Sequence, residues 1–201
     1  MSPRLKERKA RSTRLFAALL CVTFMVLFPL PRPSYGSSGN AVTVKVRDAL
    51  LQDQDGRSVR FRSDAIGEKL VFVTFTYTTC TTICPVLDSI FIKLQEKLGE
   101  RLGRDVTLLT LSIDPVNDTP LRLRQHAQKI GAKKGWVFLT GQKADIDHVL
   151  SGLDVYSSDI RKHPPALFIA DGKRNVWRRL NGFPSASRAM SILRELEDER
   201  R

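Results

Sequence analysis

The sequence predicts an α/β layered fold, and three observations carry that expectation. KLVFVTFTY at 69–77 and VTLLTLSI at 106–113 are continuous β-branched, aromatic and apolar runs, the pattern of strands buried on both faces. Segments with helical spacing of apolar residues alternate with such runs. Cys80 and Cys84 stand where the first of these strands gives way to a helix. A length of 201 residues, 42% hydrophobic and 27% charged, suits one domain with a real core and a tail. That composition excludes wholesale disorder and collagen-like repeats, and no fixed-period repeat suggests a solenoid.

The elements follow in order. VTVKVR at 42–47 alternates and reads as a strand, and Gln52–Gly56 reads as a turn. SVRF then begins a second short strand, completing an N-terminal hairpin. After the 69–77 strand, Pro85 opens a helix in which Val86, Leu87, Ile90, Phe91, Leu94 and Leu98 keep helical spacing and Gly99 closes the run. The 106–113 strand leads to Asp114-Pro115 and to Asp118-Thr119-Pro120, where Pro120 suits a first helical position. A helix to Gly131, the WVFLT strand, the ADIDHVLSGL helix and the ALFIA strand at 166–170 come next. Asp171-Gly172 turns the chain into NVWRRL, and SASRAMSILRELEDER is a final helix. Strands alternating with helices imply a mainly parallel sheet. With a terminal hairpin, a last helix and the cysteines at the end of the first central strand, the arrangement is thioredoxin-like: a central mixed sheet flanked by helices.

Residues 1–36 read as a leader. A basic block precedes the 16-residue apolar run LFAALLCVTFMVLFPL, and a Pro/Ser/Gly-rich stretch follows. This is a secretory signal or a single uncleaved membrane anchor with a linker, and both place residues 37–201 outside the cytoplasm, at the periplasmic face of the inner membrane. Cys21, inside the run, reads as a small hydrophobe. The leader holds seven basic residues and one acidic, so half of the net charge of +12 lies there. The remainder is spread thinly, with no basic helix and no interleaved aromatics, which argues against nucleic acid as a partner.

Cys80 and Cys84 admit three readings. A structural disulfide suits an exported protein, but closing so short a loop removes little chain entropy. Redox chemistry is the second, although the spacing is C-x-x-x-C rather than C-x-x-C. Metal binding is the third: two thiolates at a helix N-terminus suit a soft ion, and an added imidazole suits copper. His126 and His148 fall in polar amphipathic helices and are expected to face solvent. His163 precedes Pro164-Pro165 and the ALFIA strand, in a loop expected beside the cysteines.

FTYTTCTTICPV, SIDPVNDTP and His163 before an apolar strand with an Asp-Gly turn resemble the Sco/SenC copper-chaperone family over roughly residues 42–195. The resemblance implies one copper ion, as copper(I) or copper(II), held by Cys80, Cys84 and His163. It implies assembly of the CuA centre of cytochrome c oxidase, by copper delivery or by reduction of target cysteines. The copper-site subunit would then be the partner, along with other copper chaperones or thiol–disulfide reductases. Asp114 and Asp118 match the family's acidic loop in a supporting role. Many members have Pro where this chain has Thr81, and an acid where it has Lys162, a cation expected to lower the neighbouring imidazole's pKa. The competing class is an enzyme, a thiol–disulfide oxidoreductase or a peroxidase, with Arg161 and the threonines around Cys80 supplying hydrogen bonds. A redox or copper sensor would use the same residues.

Overall fold

A computed structural model describes residues 39–201; the leader reading and Cys21 lie outside the described residues. Eight strands form one sheet: β1 (Asn40–Val42), β2 (Leu50–Asp53), β3 (Ser58–Arg60), β4 (Leu70–Thr76), β5 (Val106–Ser112), β6 (Trp136–Gly141), β7 (Ala166–Asp171) and β8 (Val176–Asn181). Their order across the sheet is β1-β8-β7-β4-β5-β6-β2-β3. Only β4 with β5 and β5 with β6 pair in parallel, so the sheet is mixed rather than mainly parallel. β4 and β5 are buried along their whole lengths, as their unbroken apolar runs require.

The N-terminal hairpin is real but lies elsewhere than expected. It joins β2 to β3, with Leu51 opposite Val59, and β2 also pairs with β6. The alternating 42–47 run is mostly not a strand. Only its first residue belongs to β1, which pairs with β8 at the opposite edge of the sheet. Its alternation comes from a crossing segment that puts Val42, Val44 and Val46 against the core. A π-helical turn at Phe61–Ile66, unforeseen in the sequence, buries Phe61, Ala65 and Ile66.

Four helices complete the layers: α1 (Cys84–Leu98), α2 (Pro120–Lys129), α3 (Lys143–Gly152) and α4 (Ala186–Glu199). β4 separates two cores. Val71, Val73 and Phe75 face the one shared with Phe61, Leu150 and Trp177. Leu70 and Phe72 face the other, built with Leu87, Phe91 and Leu94 of α1, Leu123 of α2 and Leu193 of α4. Thr119 caps α2 by accepting the Arg122 N–H at 3.3 Å, so Pro120 takes the first helical position as its fixed φ favours.

Candidate metal centre

β4 delivers the chain to the site. After Thr76 a tight turn follows, with the Cys80 N–H donating to the Tyr77 carbonyl at 2.9 Å. Helix α1 then begins at Cys84. Ile83 precedes it in helical conformation and offers no side-chain cap. The Cys84 N–H therefore donates to the Cys80 sulfur at 3.3 Å, so the sulfur does what an N-cap oxygen usually does. A C-x-x-x-C spacing places the first thiol over the first free N–H of the helix, where negative charge is favoured. Both cysteines are free thiols, Cys84 buried and Cys80 partly exposed.

Their environments drive them apart. Burial opposes the Cys80 thiolate, yet hydrogen bonds from the Cys84 thiol, the Cys84 and Thr82 backbone and the Tyr77 hydroxyl outweigh it and bring Cys80 down to about 7. Burial pushes Cys84 up to about 12, helped by its hydrogen bond to Cys80. Tyr77 is also pushed up to about 12, first because it donates to Cys80. Spacing and composition assign no role to Tyr77; a hydroxylated aromatic three residues before the first cysteine was the available signal.

Asp118 holds the cysteine loop from the loop that follows β5. It is fully buried, and its carboxylate accepts the Thr78 hydroxyl at 2.6 Å, the Thr78 N–H at 3.1 Å and the Ser112 hydroxyl at 2.6 Å. It thus ties the end of β4 to the end of β5. Asp114 braces its own loop by accepting from Asn117 Nδ2 at 2.8 Å. These are the supporting roles expected of the acidic loop.

His163 lies at the same end of β4, because β7 runs antiparallel to β4 and starts where β4 finishes. It is 5% exposed, and its ring packs on Phe75 at 5.1 Å between centroids. Its Nε2 is buried with no hydrogen-bond partner, an exception to the pairing usual for buried polar atoms. Burial, then the Arg179 cation, push its pKa down to about 4. The cation that acts on it is therefore Arg179 rather than the adjacent Lys162. The structure brings Cys80 and Cys84 together, but His163 approaches from the Phe75 face while α1 packs on the other. Among the described residues no three His, Cys, Asp or Glu groups are close enough to enclose a metal.

The other histidines do not face solvent freely, contrary to the sequence reading. His126 is half-buried and pairs with the buried Asp88 at 3.0 Å, because α2 packs beside α1. His148 is also half-buried, with the Arg47 N–H near its Nε2 at 3.4 Å.

The SCO1/SenC family profile matches residues 45–197. The chain is 34% identical over 98 residues to the SCO1 protein homolog of Bacillus subtilis (strain 168), covering 48% of this chain and 49% of that protein. It is 28% identical over 142 residues to a SCO2-like protein of Rickettsia typhi, covering 67% and 68%. The chain thus spans about half the length of the first of these relatives. Among solved structures it resembles a SCO1/SenC family lipoprotein from Bacillus anthracis str. Ames, with TM-score 0.68 and 22% identity over 79% of this chain and 96% of that one. It also resembles BsSco, a Sco-family cytochrome c oxidase assembly protein with a disulfide switch, with TM-score 0.66 and 24% identity over 80% and 95%. Copper-bound ScoI of Arabidopsis thaliana gives TM-score 0.64 and 19% identity over 78% and 99%. These structural likenesses establish the thioredoxin-like fold, and with the profile spanning all three motifs the chain belongs to the SCO1/SenC family.

Proposed function

We propose that this protein is a copper-binding assembly factor for the CuA centre of cytochrome c oxidase, with copper as its cargo. Cys80 and Cys84 would hold the ion, and His163 would complete the set by a movement that brings its ring to the thiols, since the three are not close enough to enclose an ion as they stand. The observation that carries the reading is the orphaned, buried Nε2 of His163 at the same strand end as the two free thiols. Two thiolates satisfy copper(I), and an imidazole adds the harder donor that copper(II) needs. The family supports the reading, since copper-bound Sco structures share this fold. On the same reading, residues 1–36 export or anchor the domain at the periplasmic face of the inner membrane, and the partner is the oxidase's copper-site subunit.

The test is anaerobic copper binding by the reduced protein. Wild type should take up one copper per chain in either oxidation state. His163→Ala should keep copper(I) and lose the thiolate-to-copper(II) charge-transfer band, while His148→Ala should behave as wild type. Failure of wild type to bind copper would overturn the reading.

The asymmetry of the thiols favours a second activity at the same site. Cys80, low in pKa and partly exposed, can attack one sulfur of a target disulfide and release the other as a thiolate. Cys84 can then lose its proton and displace the bound sulfur, which leaves the target as a dithiol and this protein oxidised to a Cys80–Cys84 disulfide. Reduction of an oxidised CuA-site peptide, stoichiometric with loss of this protein's thiols, tests it.

A further inference from the structure

Among the described residues six large hydrophobics are exposed: Leu50, Val86, Val116, Leu121, Tyr156 and Phe183. All six are carried by segments at the cysteine end of the sheet. Val86, 42% exposed, lies in the first turn of α1, two residues past Cys84. Val116, 75% exposed, lies in the Asp114–Asp118 loop and lines a small cavity together with His163. Leu121, 60% exposed, is the second residue of α2 at the end of that loop. Tyr156 adjoins Ser157, which lines the same cavity. Phe183 follows Gly182, whose N–H donates at 2.9 Å to the carbonyl of Pro165, two residues beyond His163. Leu50, 57% exposed, begins β2 at this end too, since Leu51 lies opposite Gly141 at the end of β6, and β2 is three strands from β4.

Solitary exposed apolar residues are ordinary, but a concentration at one end of a domain marks a contact surface. Charge at this end narrows the partner. Arg161 and Lys143 are neutralised by Asp159 and Asp147. Arg122, Lys162 and Arg188 have no carboxylate partner among the described residues; Arg122 reaches only the Asn117 carbonyl, at 3.0 Å. Three unmatched cations around an apolar centre call for a facing surface with carboxylates at its rim and apolar side chains within. The thiols add the last constraint. Transfer of a metal or an electron pair from Cys80 needs acceptor atoms within bonding reach, which a protein supplies and a lipid surface does not.

We propose that this end of the molecule docks an acceptor protein through Val86, Val116, Leu121 and Phe183, with Arg122, Lys162 and Arg188 pairing with carboxylates at the acceptor's rim. The proposal rests on the copper-assembly reading for the identity of the acceptor. The geometry makes docking and transfer share one face, so the metal passes within the contact and never through solvent.

The test uses the full chain in detergent micelles, loaded with copper, and the purified apo copper-site domain of the oxidase as probe. Val116→Asp and Phe183→Asp should each weaken binding by about tenfold or more. Arg122→Glu with Lys162→Glu should lower the on-rate and flatten its dependence on salt. Lys97→Asp, in the last turn of α1 at the opposite end of the domain, should bind as wild type, and copper uptake should be unchanged in the Lys97, Val116 and Phe183 variants. Val116→Ser and Phe183→Ser guard against an aspartate variant that fails to fold, and should weaken binding in the same order. Hydroxyl-radical footprinting should show Val116, Tyr156 and Phe183 protected when the domain is added. Wild-type binding by the Val116 and Phe183 variants would overturn the proposal. So would protection of those residues in phosphatidylglycerol nanodiscs without the domain, which would assign the surface to lipid. A wild type that takes up copper but does not bind the domain refutes the docking proposal alone; one that takes up no copper refutes the function on which it rests.

Discussion

Cys80 and Cys84 are the same residue type four positions apart, and position alone gives them opposite behaviour. Cys80 borrows the free N–H of a helix start, while Cys84 is enclosed. Alkylation by iodoacetamide should therefore modify Cys80 first, with a half-maximal rate near pH 7, and Cys84 should stay unmodified until the domain unfolds. Cys84→Ala should move the Cys80 midpoint upward, because it removes a donor to the thiolate; mass mapping across a pH series reads both. Asp118 is the other residue on which the site depends. Asp118→Ala leaves the Thr78 and Ser112 donors without an acceptor and should cost about 1–3 kcal/mol in urea unfolding. It should also move the Cys80 alkylation midpoint upward, because the loop no longer holds the donors on the thiolate.

Secondary structure was legible where one physical rule dominated. The unbroken apolar runs of β4 and β5, the capped start of α2 and the helical spacing of α1 were read within a residue or two. The 42–47 segment misled, because alternation records which side chains face a core and not whether the backbone pairs with a neighbour. His126 misled for a related reason: its partner Asp88 is 38 residues away, and local polarity carries no sign of it. The place of His163 beside the cysteine strand was legible, since the fold class fixes which strand flanks β4. Its stacking on Phe75, and the influence of Arg179, depend on packing that spacing does not encode. One contact between elements permits a sharp test. Gly135, at φ 99°, leads into β6 against the backbone of Gly103, and a Cβ there would lie 2.4 Å from the Gly103 nitrogen. Gly135→Ala should therefore cost more than about 1 kcal/mol, read as a lowered urea midpoint with an unchanged slope.

The whole domain should respond to acid through its buried imidazole. His163 titrates near 4 when folded and near 6.5 when unfolded, so folding favours the neutral form. Its contribution is full above about pH 6.5 and is lost as pH falls toward 4, amounting to roughly 3 kcal/mol at most. His163→Leu should remove that part of the pH dependence, measured as urea midpoints from pH 7.5 to 4. Residues 37–201 alone should reproduce the wild-type curve, since the described residues build two dense cores among themselves. The antiparallel pairing of β4 with β7 has a further consequence, in time rather than in space. Leu70 pairs with Val106 in β5 but also with Asp171 in β7, so the cysteine strand gains its second neighbour only when the last quarter of the chain is in place. A chain emerging in order from its N-terminus would present its dithiol before Asp118 could brace the loop and well before His163 could approach. During that interval the thiols are open to any oxidant or stray metal. On the proposed function, loading therefore belongs after folding is complete, and whatever keeps the cysteines reduced must act before β7 is in place.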